Sequence, residues 1–264
     1  MTMISKYASF MRINFKSDIY YIYSYLLSIL AYAAYPILML IVWSSIFSGT
    51  TATSIAGYSP IALYAYFFVA YAGASMQSGV SEAISSDIES GSITSELILP
   101  ISYAIRQFID SLPSAFTNFS FVFLPIVVLT AVFAGISMSW FTIAAFALEI
   151  FLLFSISFLI EFIIGVSSIY LVSTGGISSI ITLLTFLSGG VLPNTFFPQQ
   201  LQTVLQLLPF NAYYYNPAAT FTGALAGTAL LNALVVESAW ALALFVFATV
   251  YWKMSRGKII AVGG

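Results

Sequence analysis

Three carboxylates, Glu149, Glu161 and Glu237, stand inside long uncharged runs of this chain. At the centre of a membrane-crossing helix an acidic residue costs roughly 2.5–3.5 kcal/mol on insertion scales, so these side chains are expected to face partners or water and not lipid. A second acidic group, Glu82, Asp87, Glu89 and Glu96, crowds into one interval that includes "SDIESGSITSELILPISYAIRQ", Ser86 to Gln107. Cysteine and histidine are absent. Disulfides, thiol chemistry, imidazole bases and the usual zinc or haem ligands go with them. No G-x-x-x-x-G-K-[ST] phosphate loop occurs, so ATP hydrolysis is not expected of this chain itself. Catalytic residues, cofactors and metals are expected to be none.

The elements that carry these residues follow from composition. The 264 residues are 61% hydrophobic and 6% charged, whereas a soluble domain carries about a quarter charged residues. That surplus of apolar surface needs a bilayer as its solvent. The formal charge of -2 and the lack of a basic stripe argue against a nucleic-acid partner.

A spanning helix needs about 20 apolar residues to cross a core about 30 Å thick. Six stretches qualify: Ile19–Phe47, Pro60–Val80, Leu112–Ala134, Trp140–Val172, Ile177–Leu192 and Thr228–Trp252. Their uninterrupted apolarity excludes the alternating strands of a β-barrel. The expected fold is all-α, one polytopic membrane domain over residues 1–264.

With six spans, Lys6, Arg12, Lys16, Arg106, Lys253, Arg256 and Lys258 all fall on one side. The other side, Ser48–Ser59, Gly135–Ser139 and Pro193–Gly227, has no charge. Positive flanks stay in the cytoplasm, which places both termini there in a cell membrane. Basic residues, an apolar run and "AYA" at Ala31–Ala33 also resemble a cleavable signal, but the run continues to Phe47 and cleavage would leave five spans.

On this layout Glu149 and Glu237 lie about ten residues from the outer ends, roughly 15 Å deep and near the midplane. Glu161 lies about 18 Å further along its helix, where it can snorkel to the cytoplasmic face. For Glu149 and Glu237 a buried structural pair and a pathway-lining role both stay open. Spans four and six offer no Lys or Arg at that depth, so a protonated carboxyl bonded to Ser or Tyr is expected, not a salt bridge.

Two flanking pieces read as amphipathic. Ile4, Tyr7, Ala8, Met11 and Phe15 share one helical face opposite Ser5, Lys6, Ser9, Arg12 and Lys16, as in an interfacial helix. In "PQQLQTVLQLLP", Leu201, Val204, Leu205 and Leu208 oppose Gln199, Gln202, Thr203 and Gln206, a helix that rests on the protein or dips between spans. Tyr213, Tyr214 and Tyr215 are expected to form an aromatic belt at the lipid boundary. Small residues at Gly73–Ser75, Ser78, Gly79 and Gly165–Ser168 are expected to allow close helix packing. "STGG" at Ser173–Gly176 reads as a tight turn.

The acidic segment itself reads as helix, turn, helix, with Gly91 at the turn and Pro100 as a breaker. Its plain alternative is an acidic loop that keeps itself solvated. "Glu89-x-Gly91-x-Ile93-x-x-x-Leu97-x-x-Pro100" resembles the pattern after span two in permease subunits of type 2 ABC exporters. Gly189 and Gly190, Pro193, Phe197 and Pro198, Leu201 to Leu208, Pro209, Phe210 and Pro217 resemble the same family's stretch after span five. The order of elements is closest to the six-span drug-export-like branch.

The resemblance implies a membrane subunit that pairs with a second permease copy, identical or related, and with two cytoplasmic nucleotide-binding ATPase subunits. It places Glu82, Asp87, Glu89, Gly91 and Leu97 on a coupling helix that would sit in the ATPase groove. The serine-rich loop without lysines departs from the family pattern. The implied activity is ATP-driven export of an amphipathic, hydrophobic or lipid-like cargo. Two other classes stay open: a proton-coupled secondary transporter using Glu149 and Glu237, and a non-transporting membrane scaffold.

Overall fold

The computed structural model describes residues 22–98, 102–171 and 173–262. The amphipathic segment Ile4–Phe15 lies outside the described residues, as do Pro100 and Val172. The described chain is helical, and its only strand-like feature is an isolated bridge between Ile55 and Tyr58. Among the described residues, four helical stretches are long and apolar enough to cross a bilayer: Leu27–Ser48, Tyr103–Ala134, Trp140–Ser167 and Gly227–Lys258. Two apolar helices are shorter, Pro60–Ala74 and Gly175–Gly190.

Helix α1 (Ile22–Ser48) packs against α2 (Pro60–Ala74). Ser59 caps α2 by accepting from the Ala62 N–H at 3.3 Å, and Pro60 occupies the first turn, where its missing N–H costs nothing. The expected second span, Pro60–Val80, is two helices. After Ala74 the chain breaks at Ser75–Gly79, with Gly79 left-handed at φ +61°, and resumes as α3 (Val80–Glu89). The break, Ser75-Met76-Gln77-Ser78-Gly79, carries no charge and no proline, which is why composition alone joined the two. The freed Ser78 N–H donates to Ser157 Oγ at 3.0 Å, so the break is pinned from a neighbouring helix.

Gly91, at φ +76°, turns the chain into α4 (Ile93–Leu97). Helix α5 (Tyr103–Asn118) then runs through a π turn at Phe119–Phe123 into α6 (Leu124–Ala134). The third apolar helix therefore starts at Tyr103 and not at Leu112. The π turn precedes Pro125, whose ring cannot accommodate an unbroken α ladder.

Gly135 closes α6 in the left-handed conformation, and four residues later Ser139 caps α7 (Trp140–Ser167), accepting from the Thr142 N–H at 3.2 Å. Helix α7 ends at Ser167, short of the expected Val172. It is the buried axis of the bundle: from Ala145 to Val166 most of its residues are inaccessible, and α3, α11 (Gly227–Val262) and α10 (Tyr215–Phe221) all pack on it. The expected Ser173–Gly176 turn is shorter than read: Thr174 bends the chain, and Gly175 and Gly176 already open helix α8 (Gly175–Thr185), which ends in a π turn, Phe186–Gly190, kinked at Ser188 and Gly189.

Between α8 and α11 the chain folds inward. A 3-10 turn at Asn194–Phe196 leads to α9 (Gln199–Leu207), then a second 3-10 turn at Pro209–Ala212, then α10. The Trp240 indole N–H donates to the Leu207 carbonyl at 2.7 Å. Trp240 lies 13 residues into α11, roughly 20 Å along its axis, so α9 descends that far before the chain turns back.

Phe210 and Tyr213 pack against Ile156, Ile160 and Ile164 of α7 at the bottom of this excursion. All seven residues of α10 are buried. The expected aromatic belt is thereby corrected: Tyr213 and Tyr215 are 3% and 5% exposed, inside the protein. Only Leu205 of α9 is buried, while Leu201, Val204 and Leu207 present their apolar side chains outward.

Phe196 packs its ring on Trp43 and Tyr58, which brings the charge-free connections to one end of the bundle. At the other end Ser167 bonds Tyr251, Tyr170 donates to Ser255 Oγ, and Lys258 sits over the Tyr170 ring.

Candidate functional site

Two sites emerge, one buried around the carboxylates and one exposed at the basic end. The buried site is built by α7, α10 and α11. Glu149 is 0% exposed and Glu237 2%. Thr220 Oγ1 donates to Glu149 Oε1 at 2.8 Å, and Asn216 Nδ2 donates to Glu237 Oε1 at 2.7 Å. Asn216 and Thr220 stand four residues apart on α10, one helical turn, so one short face supplies a donor to each acid.

The two carboxyls are near enough to interact electrostatically, and Oε2 of each has no hydrogen-bond partner among the described residues. Each carboxyl thus keeps one buried oxygen that can carry a proton. The expectation of Ser or Tyr partners is corrected to Thr and Asn, both on a helix that the sequence reading did not resolve. Glu161 is part-buried and stands apart from the pair, within electrostatic reach of Tyr213.

Helix α10 is held by the kink at the end of α8. Tyr66 Oη donates to the Gly189 carbonyl at 2.8 Å, with Tyr66 itself fully buried. Around this bond Tyr35 stacks on Tyr71 at 4.4 Å, and Tyr66 and Tyr58 meet edge to face at 5.6 Å. These rings give apolar bulk in the interior, and the Tyr66 hydroxyl reaches the backbone.

The cost of the polar pair can be measured. Thr220→Val removes the donor to Glu149 and leaves a buried acceptor unpaired, which should destabilise by about 1–3 kcal/mol. Asn216→Leu should act similarly on Glu237. Thermal unfolding in detergent reads both changes, and a Thr220→Val protein that melts with the parent would show that the bond contributes nothing.

The exposed site is the α3–turn–α4 segment. Glu82, Glu89 and Gly91 are exposed. Asp87 is turned inward: its Oδ2 accepts from Tyr103 Oη at 2.8 Å and Gln107 Nε2 at 3.3 Å, and its Oδ1 from Ser92 Oγ at 3.1 Å. It therefore ties α3, the Gly91 turn and the first turns of α5 together. Leu97 is part-buried against the cluster that holds Ile84, Tyr103 and Trp252. Glu96 pairs with Arg106, which also meets Asp110. Of the five residues on the expected coupling segment, three face outward and two anchor it.

Helix α3 is seated on α7 through Gly165. A Cβ there would fall 2.7 Å from Ile84 Cβ and 3.0 Å from the Ser81 carbonyl oxygen, so only a hydrogen fits.

A family model described as "ABC-2 family transporter protein" matches residues 33–258, from α1 through α11 and across both sites. The chain belongs to the ABC-2 transporter family. As an ABC-2 protein it is a multi-pass membrane transport subunit, and membership implies association with ATP-binding subunits. A comparison with curated proteins finds no match.

Proposed function

We propose that this ABC-2 protein is the membrane subunit of an ATP-driven exporter that moves an amphipathic, hydrophobic or lipid-like cargo outward, with ATP hydrolysed by two separate cytoplasmic subunits. In this reading six segments cross the bilayer, α2 and the α8 helix being the short ones, and a second permease copy completes the pathway. The basic end of the bundle is cytoplasmic.

The observation that carries the reading is the construction of α3. It is detached from α2 by the Ser75–Gly79 break, locked to α7 at Gly165, and stapled by Asp87 to α5, while Glu82 and Glu89 remain free on its exposed face. A rigid acidic knob of this kind can transmit a push from a basic groove to α7, and α7 reaches the buried carboxyl pair. A cycle driven this way needs the ATP-bound partner to favour one arrangement of the helices over the other.

The test is purification of the tagged chain from its native membrane under mild detergent, followed by ATPase assay of the complex. Glu89→Lys and Gly91→Val should each reduce hydrolysis that copurifies with the chain by more than tenfold. Full retention of that activity in both variants would remove the coupling role from this segment.

The buried pair favours a second reading, proton-coupled transport through Glu149 and Glu237. It requires transport by the isolated chain that follows a pH gradient and ignores ATP, which vesicle uptake measures directly.

A further inference from the structure

Away from both sites, α5, α7 and the second half of α11 line an open trench of about 540 Å³. Phe108, Phe158, Phe245 and Trp252 form its apolar walls, and Lys253 and Arg256 stand at one end. The void has a local cause. Asp87 pulls the start of α5 towards α3, and Trp252 stacks on Tyr103 at 5.1 Å and meets Phe162 at 5.9 Å, so the three helices close tightly along that seam. On the far side of the seam α11 presents Ala241 and Ala248, whose methyl groups leave the space unfilled.

The shape and charge select an occupant. From Ala241 to Arg256 the trench follows α11 for 15 residues, roughly 22 Å. That exceeds half of a hydrocarbon core about 30 Å thick, the depth of one acyl chain. Its charged end is unmatched. Arg106 is engaged by Glu96 and Asp110, and Lys258 lies over Tyr170, whereas Lys253 and Arg256 are exposed with no acidic partner among the described residues.

We propose that this trench is a binding site for an anionic phospholipid of the bilayer, its acyl chain along Phe108, Phe158, Phe245 and Trp252 and its phosphate between Lys253 and Arg256. Cations at a membrane face attract anionic headgroups, and a wall of rings and small residues gives the chain a fixed place. The site is separate from the Glu149–Glu237 pair and takes a lipid as a resident partner.

The experiment reconstitutes the full chain into vesicles containing phosphatidylglycerol or phosphatidylcholine brominated on the acyl chains and follows tryptophan fluorescence. The quenching that disappears on Trp252→Phe reports the trench. Two cations should lower the half-saturating fraction of phosphatidylglycerol about tenfold relative to phosphatidylcholine. Lys253→Gln with Arg256→Gln should reduce that preference to less than twofold, while Lys253→Arg with Arg256→Lys should keep it. Native mass spectrometry of the unsubstituted chain from mixed vesicles should show retained phosphatidylglycerol, lost in the double glutamine variant.

Equal half-saturation by the two lipids would overturn the assignment, as would a preference that survives the double glutamine change. Quenching of Trp252 by neither lipid would do the same and would assign the trench to protein, such as a second copy of this chain. No ATP enters the assay, so failure here leaves the exporter reading to its own test.

Discussion

Gly165→Leu should leave a folded protein whose copurifying ATP hydrolysis falls at least tenfold. The reason is local. At Gly165 the added Cβ meets Ile84 Cβ of α3 at a distance real Cβ atoms essentially never show and crowds the Ser81 carbonyl, so the nearest atoms belong to a branched side chain and to backbone. Neither can rotate away, so α3 must lift off α7.

Overpacking of this kind costs about 1–3 kcal/mol, enough to move one short helix without dissolving the bundle. The rest of α7 stays tied by the Ser167–Tyr251 bond and by the Thr220–Glu149 bond. Gly165→Ala should show a weaker form of the same loss. ATPase assay of the complex alongside thermal unfolding separates coupling from stability, and a Gly165→Leu complex with parental hydrolysis would disconnect the α3–α7 seat from function.

Gly189→Val should be more destructive and should act on stability first. Gly189 has φ +123°, where a β-branched residue is strained, and a Cβ would lie 2.7 Å from Tyr215 Cβ, 2.8 Å from Tyr215 N and 2.8 Å from Tyr66 Oη. Two independent penalties coincide, strain and a backbone collision, and together they should destabilise by about 3–5 kcal/mol. The damage would spread to the first residue of α10 and from there to Asn216, which holds Glu237. The expected result is loss of a cooperative melting transition in detergent. A Gly189→Val protein that unfolds within a few degrees of the parent would contradict the close approach of α8 and α10.

Much of the architecture was legible because apolar runs of helical length have few alternative states. The burial of Glu149 and Glu237, the small residue at Gly165 and the helix–turn–helix at Gly91 also followed from residue types. Where reading stopped, the cause was physical. The break at Ser75–Gly79 falls in a short uncharged stretch without proline, and the backbone angle of Gly79 and the Ser157 hydroxyl that receives the Ser78 amide reveal it. Asp87 read as one of several surface acids because its partners Tyr103 and Gln107 belong to another helix, though their spacing of four residues marks a single polar face.

Helix α10 was missed because "YNPAATF" has turn composition and follows three tyrosines that suit a lipid boundary. A signal was present nonetheless. Two buried acids with no cation at their depth require donors from somewhere, and Asn216 and Thr220 are a polar pair at helical spacing in a segment that carries no charge.

The inward excursion of α9 and α10 also sets an order of assembly. Glu149 is synthesised 71 residues before Thr220, its donor. Helix α7 must therefore enter the bilayer with that acid unsatisfied, and its most apolar 18-residue window, with a mean hydropathy of 2.5, the highest among the four long stretches, is apolar enough to carry it. The donors arrive only after the segment beyond α8 has emerged and folded back, and the Leu207–Trp240 bond must wait until α11 is in place. The segment beyond α8 thus closes a lock whose other half has stood open since the middle of synthesis, and a chain halted before Asn216 would hold an unsatisfied acid in its own core.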